Sequence, residues 1–192
     1  MMTHFTINKG VLSGAEFIAS PNFNARPKDC TVSGVVIHNI SLPPEQFGQT
    51  NAAGVHHVKA FFQNALNPDD DPYFTTIHQM QVSAHLLIER DGTVTQFVNF
   101  NDRAWHAGQS CYLGRANCND FTIGIELEGS DTTAFTAAQY DVLAAIIKAI
   151  YAAYPDTRRH LMGHSDIAPN RKTDPGVHFD WIKLREMLGK SE

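Results

Sequence analysis

Residues 163–176 read GHSDIAPNRKTDPG and place an imidazole, two carboxylates and an ammonium in one short polar stretch. Such a stretch is too polar for a core, and loops carried on a rigid scaffold are where binding and catalytic groups concentrate. An imidazole and a carboxylate are both zinc donors. We read His164 and Asp174 as two ligands of a zinc ion, with Lys172 facing the same site, and the third ligand must come from elsewhere in the chain. Asp174 precedes Pro175, whose ring pushes the preceding backbone into an extended conformation. In an extended run residues two apart share a side, so Lys172 and Asp174 point together. Ten positions separate His164 from Asp174, a span of roughly 33 Å if fully extended, so joint ligation requires the loop to fold back on itself. The alternative is a solvated surface loop in which Asp166, Arg171, Lys172 and Asp174 meet only water.

Two further segments could bring chemistry to that loop. Residues 31–40, TVSGVVIHNI, have the β-branched content and length of a buried strand. Val35 and Ile37 then share one face while Val36, His38 and Ile40 share the other. His38 sits near the strand's end, a reasonable position for a ligand and equally for a hydrogen-bonded structural histidine. Residues 121–128, FTIGIELE, alternate Ile123, Ile125 and Leu127 with Gly124, Glu126 and Glu128. The carboxylate face is either a wet outer surface or lies beside His38; in the second case Glu126 is placed to accept a proton and Gly124 leaves space for a ligand.

The elements that must hold these groups follow from periodicity. Residues 55–66 have helical apolar spacing, and on that helix His56 and His57 do not share a face, which disfavours them as a chelating pair. The acidic turn 67–72 lacks the glycine and closing glutamate of a calcium loop. Residues 84–90 and 93–99 flank Asp91-Gly92, the clearest hairpin signal in the chain. His85 opens the first of these strands and is given no role. Trp105 and His106 lie in a glycine-containing loop, where the indole either walls a sugar ring or plugs the core. The longest helix covers residues 136–154, capped near Thr136 and followed by Pro155. Residues 161–163 form a short strand that delivers His164, and a last helix lies near 180–188. A hairpin among these elements requires antiparallel pairing, so the expected fold class is mixed α/β, a central mixed β-sheet flanked by helices.

Composition narrows the function classes. A chain of 192 residues, 43% hydrophobic and 18% charged, fits one domain over residues 1–192. The formal charge of −5 and the lack of a Lys/Arg cluster leave no footprint for nucleic acid. Residues 1–10 lack the apolar region of an export signal, and the apolar run 142–151 is interrupted by Lys148 and too short to span a membrane. Cys30, Cys111 and Cys118 are odd in number and contain no C-x-x-C pair, which fits a reducing cytoplasm better than a disulfide framework or a thiolate zinc site. No obligate protein partner is evident.

Five ordered blocks carry a resemblance: VVIHNISLPP at 35–44, VSAHLLIERDG at 82–92, AWHAG at 104–108, CNDFTIGIELEG at 118–129 and GHSDIAPNRKTDPG at 163–176. Over nearly its whole length the chain resembles the zinc N-acetylmuramoyl-L-alanine amidases, most closely the branch that acts on 1,6-anhydro-muropeptides in bacterial cell-wall recycling. The resemblance implies the fold of the peptidoglycan-recognition proteins. It implies Zn2+ held by His38, His164 and Asp174, with Glu126 and Lys172 as catalytic groups. It also implies that Asn39, Trp105 and His106 border a muropeptide cleft. The resemblance leads us to expect basic residues where Gln81 and Asn117 stand, and Arg115 is the candidate to compensate. Two imidazoles and a carboxylate leave one position of a tetrahedral zinc for water, the pattern of a catalytic rather than a structural site. Rival readings are an amidase of intact peptidoglycan, such as a lysin or autolysin, a non-catalytic muropeptide-binding module, and a cysteine hydrolase built on Cys118.

Overall fold

A continuous β-branched run around Val35 and an alternating one around Ile123 produce the two longest strands of the protein, and the computed structural model, which describes residues 4–189, builds its sheet on them. The first three residues of the segment read for an export signal lie outside the described residues. In chain order the central strands are β1 (Glu16–Phe17), β2 (Gly34–Ile40), β3 (Leu86–Ile88), β4 (Val94–Gln96), β5 (Thr122–Glu128) and β6 (Leu161–Gly163). Their spatial order is β6-β2-β5-β3-β4-β1. β6, β2, β5 and β3 run parallel, β3 and β4 form the antiparallel hairpin, and β1 lies parallel to β4. The sheet is therefore mixed, as the Asp91-Gly92 signal requires; Gly92 takes a φ of 91°, a conformation that favours glycine.

The α-helices are α1 (His57–Phe62), α2 (Phe74–Ile77), α3 (Ala137–Ala153), α4 (His164–Ile167) and α5 (Trp181–Leu188), and three two-stranded sheets lie outside the central one. Thr136 caps α3 in a reciprocal box with Gln139: its hydroxyl accepts the Gln139 N–H at 3.1 Å, and the Gln139 side chain accepts the Thr136 N–H at 3.1 Å. The Gln139 amide also donates to the carbonyls of Ile88 and Glu128, which pins the start of α3 to the ends of β3 and β5. Leu143, Ile146, Ile147 and Ile150 bury one face of α3 against Val35, Ile37, Ile123, Ile125 and Leu127. Each such side chain contributes about 1.5–3 kcal/mol by leaving water. The other face of the sheet is shared by a cluster around Phe62, Leu87 and Phe97 under α1 and a smaller one around Val36, Cys118, Phe121 and Met162.

Several elements differ from expectation: the hairpin strands expected over 84–90 and 93–99 are three residues each, and residues 164–167, read as loop, form α4. The helix anticipated over 55–66 is confined to α1, because the His56 ring nitrogen Nδ1 accepts the Val58 N–H at 3.2 Å and starts the helix there. Asn64 ends it with a φ of 58°. The four-residue α2 was not foreseen; its burial rests on Phe74 alone. Among the described residues no helix is long and apolar enough to cross a membrane.

Candidate metal centre

β2 and β5 are parallel neighbours whose register pairs Glu126 with His38. Residues opposite one another in a pleated sheet project to the same face, here the face away from α3. β6 flanks β2 on its other side with Gly163 opposite Ile37, so His164 follows one step beyond and opens α4 next to His38. All three positions lie toward the carboxyl ends of parallel strands, where open α/β sheets gather their ligands.

The polar loop folds back as joint ligation requires. The Ser165 N–H donates to the Asp174 carbonyl at 3.0 Å, and the Lys172 N–H to the Ala168 carbonyl at 3.1 Å. This brings Asp174 Oδ2 to 3.0 Å from His164 Nδ1 and 3.1 Å from His38 Nδ1, while the two Nδ1 atoms are 2.9 Å apart. Among the described residues these three form the one cluster of metal-type donors. Ligands on a tetrahedral ion with bonds of about 2.0–2.1 Å are separated by roughly 3.3 Å, so the triangle is close to the right size for zinc.

The ring protons are arranged to match. His164 Nε2 lies 3.2 Å from the Ala107 carbonyl, which can only accept, and 3.4 Å from Arg171 Nη2; the shorter contact places the hydrogen on this nitrogen and turns Nδ1 inward. His38 Nε2 lies 2.9 Å from His106 Nδ1. Burial lowers the His38 pKa to about 4, with the nearby Asp174 carboxylate opposing, so this ring is neutral. For Asp174, burial pushes its pKa up, but the closeness of the His164 and His38 rings outweighs it and holds the carboxyl below its usual range. Lone pairs of two imidazoles and a carboxylate converging on one region repel unless a cation lies among them. The donor set fits a divalent metal, with the outer ring nitrogens held by further groups as metal-bound histidines usually are.

Glu126 is only 9% exposed, and its Oε2 has no hydrogen-bond partner among the described residues. Burial raises its pKa well above the usual carboxyl value, Asp174 pushes the same way, and Lys172 offsets part of the shift. Lys172 is exposed, yet its charge acts on both Glu126 and His38. It forms no ion pair with Asp174, whose Oδ2 is engaged by the two histidines.

The remaining sequence candidates are held as follows. Asn39 donates to Asp131 Oδ1 at 2.7 Å, and the Thr173 hydroxyl donates to the other oxygen of Asp131, so Asp131 ties the end of β2 to the 163–176 loop. Trp105 is half-buried and donates from Nε1 to Asn24 Oδ1 at 2.7 Å; it neither plugs the core nor stands free. Arg115 is exposed, with its guanidinium 3.9 Å above the Phe121 ring and Nη2 3.0 Å from Cys30 Sγ. Gln81 and Asn117 are both exposed. His106, expected to border the cleft, is instead buried behind His38. The space that Gly124 leaves is not open to a ligand: the His106 ring fills it, and a Cβ on Gly124 would lie 2.5 Å from His106 Nδ1.

Several groups were not legible as parts of the site. Arg171 read as one more loop charge, but its Nη2 donates to the carbonyls of Ala107 at 2.7 Å and Gln109 at 2.8 Å, fastening the 107–109 segment beside His164. Asn119 Oδ1 accepts the N–H groups of His106 and Ala107. His85 accepts the Gly124 N–H at Nδ1 and faces the Asp102 carbonyl at Nε2, which accounts for its burial without metal. Glu128, the second carboxylate of β5, is taken by His56 at 2.9 Å and by the N–H groups of Gly48 and Arg90. Cys118 is buried, and burial pushes its thiol up, away from the reactive thiolate.

A profile of the N-acetylmuramoyl-L-alanine amidase family matches residues 28–177. The chain is 49% identical over 184 residues to the 1,6-anhydro-N-acetylmuramyl-L-alanine amidase AmpD of Escherichia coli (strain K12), covering 96% of this chain and 97% of that protein. It is 54% identical over 176 residues to the protein of the same name from Haemophilus influenzae, covering 91% and 92%. A crystal structure of a selenomethionine AmpD derivative superposes with a TM-score of 0.90 at 48% identity, covering 95% of this chain and 98% of the other. The E. coli amidase AmiD, in complex with anhydro-N-acetylmuramic acid-L-Ala-D-gamma-Glu-L-Lys, superposes with a TM-score of 0.58 at 26% identity, covering 96% and 65%. With a fold and a sequence that agree with these relatives over nearly its full length, the chain belongs to the N-acetylmuramoyl-L-alanine amidase family.

Proposed function

We propose that the protein hydrolyses the amide between the lactyl group of 1,6-anhydro-N-acetylmuramic acid and the L-alanine of soluble muropeptides, in cell-wall recycling. His38, His164 and Asp174 would hold zinc, and Glu126 and Lys172 would act on the substrate. The observation that carries the chemistry is Glu126: a buried carboxyl with one unpartnered oxygen, in register beside a ligand of the donor triangle. The substrate class is supported by relatives whose names specify it.

Zinc, when bound, supplies Lewis-acid polarisation of the scissile carbonyl and lowers the pKa of a water to about 7. The protein's own groups do the rest. Glu126 takes the proton of the attacking water, which its burial suits it to do, because a carboxylate in a dry site gains from being neutralised. The same carboxyl then returns the proton to the amine nitrogen of L-alanine as the amide C–N bond breaks. The Lys172 ammonium stabilises the negative charge that develops on the carbonyl oxygen. Asp131 and Arg171 keep the 163–176 loop at the strand ends, so the ligands and the acid–base group share one frame.

Asn39, Trp105 and Arg115 remain the groups we propose for the rim of the muropeptide cleft, and a cytoplasmic setting is supported by three unpaired cysteines. The test is to incubate the zinc-loaded protein with anhydro-muramyl tripeptide and, separately, with insoluble sacculi, and to identify the products by mass. Release of free tripeptide from the soluble substrate is expected. Preferential release of peptides from sacculi would make it an amidase of intact wall, and tight binding without cleavage would make it a receptor.

A further inference from the structure

His106 and Thr122 lie behind the donor triangle, and the hydrogen bonds between them run in one direction. The Thr122 hydroxyl is 2.6 Å from the Cys118 carbonyl, a pure acceptor, so its single proton is committed there. The same oxygen is 3.2 Å from His106 Nε2 and can only accept from it, so Nε2 carries a hydrogen. His106 is buried with no carboxylate within hydrogen-bonding reach, and a doubly protonated ring there would place an uncompensated charge beside a metal site. Its Nδ1 is therefore bare and accepts from His38 Nε2 at 2.9 Å. A His38 ring that donates from Nε2 presents a bare Nδ1 to His164 and Asp174.

We infer that Thr122 and His106 are positioning residues for the metal centre: a relay from the Cys118 carbonyl through Thr122 and His106 fixes the ring of His38 in the one tautomer that can ligate through Nδ1. His38 differs in this from His164, whose tautomer is set directly by a backbone carbonyl. A bare histidine nitrogen is a selective partner only while its other nitrogen is held as a donor, and Thr122 supplies that hold. Two further contacts keep His106 from leaving: Asn119 Oδ1 accepts the backbone N–H groups of His106 and Ala107, and Gly124 leaves the volume its ring occupies.

The inference rests on the metal reading above, and its test separates the two. Zinc affinity of the full-length protein is measured by competition with a chromophoric chelator for wild type, His38→Ala, Thr122→Val and Thr122→Ser. The tautomers of His38 and His106 are read from the imidazole nitrogens in 1H–15N spectra of the zinc-loaded wild type and both Thr122 variants. We expect His106 to be protonated on Nε2 in the wild type. Thr122→Val, which keeps the side-chain shape, weakens zinc binding 10–100-fold, the range for groups that orient metal ligands. It also moves the His106 proton to Nδ1 in part or in full, while Thr122→Ser restores both properties to within about threefold of wild type on the same scale. A mere packing role for Thr122 would not move the tautomer. A wild-type His106 protonated on Nδ1 overturns the relay, as does a Thr122→Val protein with wild-type zinc affinity and an unchanged tautomer. If Thr122→Val fails to fold, the wild-type spectrum alone decides. Wild-type affinity in His38→Ala would instead sink the metal reading beneath it.

Discussion

Gly124→Ala adds one methyl group at a place where the structure has no room for it. The new Cβ would lie 2.5 Å from His106 Nδ1 and 2.7 Å from Cδ2, whereas ordinary contacts begin near 3.4 Å, so the imidazole must retreat by about 1 Å. His106 cannot retreat freely, because Asn119 holds its backbone. A shift of that size takes the 2.9 Å contact with His38 toward or beyond 3.5 Å, where a hydrogen bond is lost. Two costs are expected. Overpacking lowers the stability of the metal-free protein by about 1–3 kcal/mol. Loss of the partner that orients His38 weakens metal binding 10–100-fold, and at a fixed zinc concentration well above both dissociation constants this reduces the stabilisation by zinc by about 1.4–2.7 kcal/mol. The assay is urea unfolding of wild type and variant, each with zinc and with excess chelator, so that four free energies give both terms separately. An unchanged zinc increment would refute the argument that the His106 ring supports the centre. A variant as stable as wild type in chelator would show that the cradle yields without strain.

Glu126→Gln preserves shape and removes the proton acceptor, so kcat should fall by about 10²–10⁴ while zinc content stays at wild-type level; turnover near wild type in the muropeptide assay would remove Glu126 from the chemistry. For Lys172→Ala we expect kcat reduced by about 10²–10³ with zinc retained, since a charge that acts on the developing oxyanion is lost, and metal loss measured by elemental analysis would make Lys172 structural instead. Glu128 tests the pH dependence away from the metal. Burial pushes its pKa up, but His56 and the N–H groups of Gly48 and Arg90 outweigh this and hold it below the usual value. A carboxyl depressed on folding contributes stability above its unfolded pKa of about 4.3 and loses it as pH falls through the folded value. Chelated wild type should therefore lose more stability than Glu128→Gln as pH falls from about 5 to about 2.5, and parallel pH profiles by urea unfolding would contradict that assignment.

The local order of this protein was written in its sequence because period and capping act over a few residues. The β-branched run around Val35, the alternation around Ile123, the Asp91-Gly92 turn and the Thr136 cap determined two long strands, the place of a hairpin and α3, though not the length of the hairpin strands. The polar loop at 163–176 was equally legible as chemistry, and so was the presence of a carboxylate face on β5. Which of its two carboxylates serves the site was not legible, since Glu126 and Glu128 look alike in an alternating strand. The parallel register separates the two, setting Glu126 beside His38, while His56 and two backbone N–H groups consume Glu128. His106 shows the same limit more sharply. In sequence it is a histidine after a tryptophan in a glycine-containing loop, and nothing local distinguishes a cleft wall from a support. Its role follows from the absence of a side chain at Gly124 and the presence of a hydroxyl at Thr122, on a strand that only the fold brings underneath it. Hydrogen-bond direction is a property of pairs, and pairs between distant residues exist only once the chain has closed on itself.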